Sequence, residues 1–280
     1  MLFHHDAPLA QRMPPYVQPA RTGYGPKSVE EALKWLGEPT DPRTWEAIHS
    51  TGRIVVTPDG RPIRSAITGR RHTVTGSYSS QKTRRTHPHE SMIEHAFLQE
   101  SEVDVDVVDF RSQPFRFEFS LEGRPRIYIA DICRVLSSGA VEVVEVKADR
   151  KHLRDPEYAA KLAVVGEMCR QIGWRFRTVT KDRLFTPPAR RANILLVQSK
   201  GKAEFTTRDV YAAIEAIDEA GGEAEFGSVC AVLGGTQIGA ARVMAMMVGR
   251  ILKIDLQRPI NPRSRVSLVV GGPAFAEGVR

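Results

Sequence analysis

The sequence predicts an α/β protein in which a mixed sheet is flanked by helices and followed by a helical, winged-helix-like C-terminal domain. Three observations support this prediction. β-rich runs cluster between residues 105 and 147, amphipathic helical patterns stand on both sides of them, and the composition turns Ala-rich and helical after Pro187 and Pro188. With 280 residues, of which 41% are hydrophobic, the chain can form one large domain or two ordinary ones.

The N-terminal part predicts an arm followed by short elements. Residues 1–27 contain five prolines and little periodic pattern, which is typical of an extended or disordered arm. "KSVEEALKWLGEP" predicts a short helix capped by Ser28, and "DPRTWEAIHSTG" predicts a second helix. "RIVVTPDGRPIRSAI" predicts two short strands around a turn at Pro58, Asp59 and Gly60.

The central part predicts the mixed sheet. "HESMIEHAFLQESE" has its apolar residues on one face, which indicates an amphipathic helix. About four strands follow, separated by Gln113-Pro114, Gly123-Arg124 and Ser138-Gly139. "DPEYAAKLAVVGEMCRQIG" then predicts a long helix that ends at Gly173, and "WRFRTVT" predicts one more strand.

Residues 184–280 predict a separate, mostly helical domain. The helical patterns are followed by "KIDLQRPINPRSRVSLVVG", which predicts two strands about a turn at Asn261 and Pro262. Three helices and a β-hairpin are the parts of a winged helix, which binds DNA or a partner. A helical bundle for protein contacts is the alternative at this point.

The charge distribution indicates an anionic partner. The formal net charge is +7 and the sequence pI is about 9.5, and nucleic acid is the usual partner of such a protein. From Arg61 to His89 the chain has seven basic residues and no acidic one. This segment is either a solvated loop or a contact for DNA phosphates. The candidate DNA-binding residues are Arg70, Arg71, Lys82, Arg84 and Arg85.

The cysteines and the hydropathy pattern indicate a cytoplasmic protein. Cys133, Cys169 and Cys230 stand far apart, so their spacing suggests neither a zinc site nor a disulfide framework. No signal peptide and no apolar run of membrane-spanning length is recognisable. We therefore expect no contact with a membrane.

Charged residues at the end of the valine-rich strand "VEVVEVK" indicate a catalytic site. Glu145 and Lys147 point to the same face of that strand, and Asp131 interrupts an apolar run 14 residues before Glu145. This spacing suits two neighbouring strands joined by a hairpin, so the two carboxylates converge. Carboxylates this close favour a hard cation, and Glu94 on the preceding helix can complete the cluster. An ordinary surface ion pair between Glu145 and Lys147 is the alternative.

Four segments in register resemble the TnsA family of transposon-end endonucleases, a branch of the PD-(D/E)xK nuclease superfamily. They are "TVTGSYSSQKTRRTHPHESMIEHAFL", "VDFRSQPFRFEF", "YIADICRV" and "VEVVEVK", and the resemblance covers roughly residues 70 to 180. It implies a restriction-endonuclease-like sheet within a nuclease domain at residues 28–183. The chain departs from the family at Ala130, where a proline is usual.

The resemblance also implies roles for individual residues. Glu94, Asp131 and Glu145 would bind the metal, and Lys147 would be the catalytic lysine. The implied cofactor is Mg²⁺, and Mn²⁺ accepts the same ligands. Gln113 matches the family's Q-P glutamine and is an accessory candidate, as is Glu90, which shares a side of the helix with Glu94.

A TnsA-like protein would hydrolyse one phosphodiester at each 5′ end of a transposon. Its partners would be DNA, a DDE-type transposase subunit that joins the 3′ ends, and an ATPase regulator. Two alternatives remain open at this point. One is a stand-alone restriction-like or phage nuclease of the same superfamily, and the other is a catalytically inactive nuclease fold that acts as a DNA-binding or assembly module.

Overall fold

The structure, a computed structural model, describes residues 25–36, 43–47, 50–57, 61–63 and 74–270. The chain divides into two compact units. The first contains the described residues up to 77, together with 87–94 and 108–180, and the second contains 78–86, 95–107 and the residues from 181 onward. Residues 1–24 of the predicted arm lie outside the described part.

The first half of the chain alternates short strands with two helices. In order, its elements are α1 (Val29–Trp35), β1 (Arg43–Ala47), β2 (Ser50–Val56), β3 (Gly76–Ser79), β4 (Thr86–His89), α2 (Met92–Val103), β5 (Val107–Ser112), β6 (Phe115–Leu121), β7 (Arg124–Ile129), β8 (Ile132–Leu136) and β9 (Val141–Lys147).

The second half is mainly helical. A 3₁₀ helix (Arg150–Arg154) precedes the remaining elements, which are α3 (Pro156–Gln171), β10 (Arg175–Thr180), α4 (Lys181–Phe185), α5 (Pro188–Lys200), α6 (Thr207–Glu219), β11 (Glu223–Glu225), α7 (Phe226–Val232), α8 (Gly235–Val248), β12 (Leu252–Ile254) and β13 (Arg265–Leu268).

The first unit contains two four-stranded sheets. One has the order β1-β2-β6-β7 and is antiparallel, and the other has the order β10-β9-β8-β5. In the second sheet β10 runs parallel to β9, whereas β8 runs antiparallel to it. The predicted mixed α/β architecture is therefore confirmed. The strands are divided between two sheets because β6 and β7 pair with the N-terminal hairpin instead of joining β8 and β9.

One apolar core joins these two sheets to helices α1 and α3. Phenyl rings from alternate positions of β6 meet valines from β9 and aliphatic side chains from α3. The ring of Phe115 stands edge-on to that of Phe117, with 5.4 Å between their centroids. Buried members of this core include Val29, Phe115, Phe117, Val143, Leu162, Val165, Met168 and Cys169.

Two predictions about the secondary structure, one of a helix and one of the number of strands, were wrong. The segment predicted as a second helix contains strand β1, whose Trp45 pairs with Gly52 of β2. Thr44 and Trp45 favour extended structure, and the hydrogen-bonded ladder with β2 outweighs the weak helical pattern. Between α2 and α3 there are five strands instead of four, because the backbone breaks at Ala130 and separates β7 from β8.

A buried group of charged side chains joins strands β8, β9 and β10 of the mixed sheet. Arg134 of β8 donates to Glu142 of β9 at 2.6 Å, and Arg177 of β10 lies 3.2 Å from the same carboxylate oxygen. Arg134 is only 4% exposed. Burial alone would raise the pKa of Glu142, but the neighbouring guanidinium groups lower it below its usual value.

Replacing Glu142 by alanine is expected to destabilise the protein by about 3–5 kcal/mol, because Arg134 would stay buried without its carboxylate. The pKa of Glu142 is lower in the folded state than in the unfolded state. The ion pair therefore stabilises the protein fully at a pH above the unfolded-state pKa of Glu142, and this stabilisation is lost as the pH falls through its folded-state pKa. Chemical denaturation measures both effects. Glu167→Ala, which breaks an exposed pair with Arg170, is the control and should change little. Equal losses in the two variants would contradict this account.

The second unit is a helical domain with a small antiparallel sheet of order β11-β13-β12. A capping box at Thr206 and Asp209 starts α6. Helices α7 and α8 are joined by a break at Leu233 and Gly234 and are bent by 103° relative to each other. The helices and the hairpin strands were predicted, whereas β11 was not. Within the described ranges, no single helix is long and apolar enough to cross a membrane.

Candidate active site

The β8–β9 hairpin brings the two predicted carboxylates together. A tight turn closes it, with Leu136 N–H donating to Ala140 O at 2.9 Å, and the register pairs Ile132 with Val144. Asp131 and Glu145 are the next residues outward from that pair, so they face each other. Asp131 Oδ2 accepts a hydrogen bond of 2.9 Å from the Val146 N–H, which fixes its carboxylate against β9.

Glu145 is buried and surrounded by donors. Only 2% of this residue is exposed. Its Oε2 accepts from the hydroxyl of Tyr128 at 2.5 Å, and its Oε1 accepts from the hydroxyl of Tyr158 and lies 2.6 Å from Lys147 Nζ. A carboxylate in this environment is oriented by three donors on different elements, namely β7, α3 and β9. Its position is therefore fixed by the fold of the first unit.

Lys147 is held in its charged form. Burial disfavours the ammonium, but the attraction of Glu145, its hydrogen bond and the charge of Asp131 together raise the pKa of Lys147 above its usual value. The ammonium also lies 5.2 Å from the centre of the Tyr158 ring. Lys147 therefore provides a positive charge beside the carboxylates of Glu145 and Asp131 at neutral pH.

The pKa values of the Glu94 and Asp131 carboxyl groups are both raised. Burial, followed by repulsion from Glu145 and Glu94, raises the pKa of Asp131 well above its usual range. Burial also raises the pKa of Glu94, although its carboxylate accepts from Glu90 N–H at 2.8 Å and Ser91 Oγ at 3.0 Å. Asp131 is therefore close enough to both Glu145 and Glu94 for their charges to repel its carboxylate.

Both accessory candidates contact this region. The Gln113 N–H donates to Asp131 O at 2.9 Å, and its side-chain Nε2 donates to Glu90 Oε1 at 3.2 Å. Gln113 has a φ of 47°, a conformation that few non-glycine residues adopt. It is 3% exposed, and within the described part of the chain no hydrogen-bond donor reaches its Oε1. A buried acceptor of this kind has a site for water or another polar group.

The donor set suits a hard divalent cation. Asp131, Glu145 and Glu94 carry carboxylate oxygens, which are the ligand type that Mg²⁺ prefers. As the side chains stand, no three His, Cys, Asp or Glu residues of the described ranges form a group that could hold a metal ion. Glu145 is turned toward Tyr128, Tyr158 and Lys147 instead. A cation would relieve the repulsion that raises the pKa of Asp131.

The predicted DNA-binding residues have different environments. The Lys82 ammonium donates to the main-chain oxygens of Ser101 and Asp104, at 2.9 and 2.6 Å. These contacts stabilise the C-terminal end of α2, so they favour a structural role for Lys82. Arg84 and Arg85 are exposed between β3 and β4. Arg70 and Arg71 lie outside the described residues.

Sequence reasoning missed Tyr128 and Tyr158. Tyr128 lies three residues before Asp131, on the strand that leads into the site, and this closeness along the chain was the available signal. Tyr158 lies in the first turn of α3, and nothing local connects it to Glu145, because the contact depends on how α3 packs against the sheet.

The chain is similar to a known protein family and to a solved structure. One solved structure with similarity is the crystal structure of protein VC1899 from Vibrio cholerae, which is 18% identical over 38% of this chain and 26% of that chain, with a TM-score of 0.24. No curated protein matches the chain. Residues 104–181 match the family model described as TnsA-like endonuclease N terminal, a span that includes Asp131, Glu145 and Lys147. This match supports a nuclease related to the transposase subunit TnsA.

Proposed function

We propose that the protein is a metal-dependent DNA endonuclease of the PD-(D/E)xK superfamily that cuts the 5′ ends of a transposon. The observation that carries this proposal is the meeting of Asp131, Glu145 and Lys147 within the span that matches the TnsA-like endonuclease family. Residues 28–183 would form a restriction-endonuclease-like nuclease domain, and residues 184–280 would form a winged-helix-like domain.

The proposed cofactor is Mg²⁺, which Mn²⁺ can replace, held by Glu94, Asp131 and Glu145. When bound, the ion supplies Lewis-acid polarisation of a phosphate oxygen and lowers the pKa of a coordinated water. Tyr128 and Tyr158 hold Glu145 in place. Lys147 presents its ammonium to the reacting phosphate and stabilises the negative charge that grows on its oxygens. Since the raised pKa of Lys147 keeps it protonated, its contribution is electrostatic.

The proposed partners follow from the TnsA-like domain. They are DNA, a DDE-type transposase subunit and an ATPase regulator, with the nuclease acting as one subunit of a heteromeric transposase. Arg84 and Arg85, which are exposed, and Arg70 and Arg71 are the proposed phosphate contacts of the first basic segment. We place the protein in the cytoplasm, where its three buried free cysteines would stay reduced.

The winged-helix proposal is supported by the order of elements in the second unit. Helix α6, strand β11, helices α7 and α8, and strands β12 and β13 follow one another, and β13 lies between β11 and β12 in the sheet. The crossing of α7 and α8 at 103° falls within the range of helix-turn-helix motifs.

A cleavage assay tests the proposed function. Purified protein is incubated with supercoiled plasmid that carries transposon ends, with Mg²⁺ or with EDTA, and with or without a DDE-type transposase subunit. We expect Mg²⁺-dependent nicks at the 5′ ends that require the transposase. Sequence-specific cutting by the protein alone would favour a stand-alone restriction-like nuclease. DNA binding without cleavage in every mixture would favour a catalytically inactive module and would contradict the proposal.

Tyr158→Phe is expected to weaken the binding of Mn²⁺ by about 10- to 100-fold, because the loss of a hydrogen bond that orients a metal ligand typically has this effect. The ring stays, so the packing of α3 is preserved. Calorimetric titration of Mn²⁺ measures the affinity. Tyr211→Phe, at a residue that is 45% exposed in the second unit, is the matched control and should bind as the wild type does. Unchanged affinity in Tyr158→Phe would contradict the orienting role.

A further inference from the structure

Helix α3 places a second lysine beside the candidate active site. Lys161 lies one helical turn after Tyr158, and residues three apart lie on the same side of a helix. The Lys161 Nζ is 5.9 Å from the ring centre of Tyr158 and 5.9 Å from that of Tyr128. Both distances fall within the range of a cation–π attraction. Lys161 therefore contacts the same two tyrosines that hold Glu145.

These two tyrosines fix the ammonium of Lys161 relative to the site. The Tyr128 hydroxyl donates to Glu145 Oε2 at 2.5 Å, and the Tyr158 hydroxyl donates to Oε1 of the same carboxylate. Tyr128 is only 3% exposed, so the surrounding core holds its ring in place. The Lys161 ammonium and the Glu145 carboxylate are consequently linked through the same two rings.

Lys161 and Lys147 are held by different kinds of group. The Lys147 Nζ lies 2.6 Å from Glu145 Oε1, so a carboxylate offsets its charge. An aromatic ring attracts an ammonium through its quadrupole but has no net charge. The contacts of Lys161 with the two rings therefore leave its positive charge uncancelled, and this charge attracts an anion.

The turn of α3 that carries Lys161 is accessible to a large substrate. Lys161 itself is half-buried, and the two residues between it and Tyr158 are Ala159 and Ala160, which are both exposed. An alanine side chain ends at its Cβ, so neither residue covers the ammonium. A phosphate group can therefore approach Lys161 from the solvent side of α3.

The charges of the site favour one further cation. The carboxylates of Glu94, Asp131 and Glu145, when ionised, and the ammonium of Lys147 together have a net charge of −2. The proposed divalent cation would neutralise this charge and leave no net attraction for DNA. Lys161 makes the net charge +1, which suits a phosphodiester with its single negative charge.

We propose that Lys161 binds a backbone phosphate of the DNA strand that is cut, next to the scissile phosphate. The two tyrosine rings lie between Lys161 and Glu145, so the ammonium acts on a neighbouring phosphate and not on the reacting atoms. This inference rests on the proposed function, because it takes DNA as the substrate of the site. It adds a residue that selects a polynucleotide by binding it equally before and during the reaction.

The first test measures DNA binding by the full-length protein in EDTA, which prevents cleavage, by fluorescence anisotropy with a DNA duplex. Lys161→Met removes the charge and keeps an unbranched side chain on the rings. We expect the slope of log affinity against log salt to fall by about 0.9, and the affinity at 0.1 M salt to fall by about 5- to 10-fold. Lys161→Arg keeps the charge and should retain the wild-type slope.

The matched control is Arg170→Met, which removes an exposed positive charge from the same helix about 14 Å farther along its axis. It should leave the slope unchanged. An unchanged slope in Lys161→Met would overturn the proposal. A lower thermal midpoint of that variant together with an unchanged slope would show that Lys161 only packs against the tyrosines, which would also overturn it.

The second test uses single-turnover cleavage with the transposase subunit present. Lys161→Met should raise the half-saturating DNA concentration by about 5- to 10-fold and leave the maximal rate unchanged, because the lost contact is the same in the ground state and the transition state. A lower maximal rate with an unchanged half-saturating concentration would contradict the proposed role.

The two tests separate this inference from the proposed function. If Lys161→Met loses salt dependence of DNA binding while the wild type never cleaves DNA, the phosphate contact is supported and the nuclease proposal fails. If cleavage is observed but the wild type and Lys161→Met bind DNA with the same slope, the nuclease proposal stands and the role of Lys161 is overturned.

Discussion

Lys147→Ala is expected to lower the rate of DNA cleavage by at least about 10²- to 10³-fold, the usual effect of removing one preorganised group that stabilises charge in the transition state. Lys147 is positively charged at neutral pH, and Glu145, 2.6 Å away, raises its pKa further. Alanine would remove the positive charge that Lys147 places beside the substrate phosphate, and it would leave the β8–β9 hairpin unchanged. The expected loss is therefore in kcat, and DNA affinity should be nearly unchanged.

A neighbouring lysine provides the control for this variant. Lys151 lies in the 3₁₀ helix after β9 and is exposed, with its ammonium 3.9 Å from Asp149. Lys151→Ala removes the same charge a short distance away and should leave cleavage within about twofold of the wild type, as surface charges contribute little. If Lys147→Ala cleaves DNA at the wild-type rate under single-turnover conditions, the role proposed for this lysine is wrong.

Asp131→Asn is expected to stabilise the metal-free protein and to abolish its catalysis. Burial and repulsion from Glu145 and Glu94 raise the folded-state pKa of Asp131. An acid with a raised folded-state pKa makes the protein less stable as the pH rises from its unfolded-state pKa to its folded-state pKa, because the folded state binds more protons there. Asparagine removes this penalty and still offers an oxygen to the Val146 N–H.

Thermal unfolding in EDTA measures this effect. At neutral pH the midpoint should be higher in Asp131→Asn than in the wild type, by about 2–4 °C for each kcal/mol of repulsion removed. Near pH 4 the two midpoints should approach each other. Added Mn²⁺ should raise the midpoint of the wild type and not that of the variant. Asp182→Asn, on the exposed start of α4, is the control. A lower midpoint in Asp131→Asn at neutral pH would contradict the account.

The hairpin of β8 and β9 could be predicted from the sequence because the residues that determine it lie close together in the chain. Valine-rich β9, the turn before Val141 and the 14-residue spacing from Asp131 to Glu145 are sufficient to pair two strands and to bring the carboxylates together. The same applies to the Ser28 cap of α1, whose hydroxyl accepts from the Glu31 N–H at 3.0 Å.

Features that depend on distant pairing could not be predicted. Strand β1 exists because β2 pairs with it, and β2 in turn pairs with β6, some 60 residues away. Tyr158 approaches Glu145 only because α3 packs on the sheet. The Lys82 ammonium donates to a main-chain oxygen near the end of α2, which is distant from it in the sequence. In each case tertiary contacts decide the outcome, and local composition does not contain them.

The proposed metal site can be tested by calorimetric titration of Mn²⁺ into the wild-type protein and into Asp131→Ala, in the presence of a short DNA duplex that can supply a phosphate ligand. We expect binding to the wild type and its loss in the variant, because a cation held by Asp131 would relieve the repulsion of its carboxylate by Glu145 and Glu94. Equal binding by both proteins, or binding by neither, would contradict the assignment of these carboxylates as the metal site.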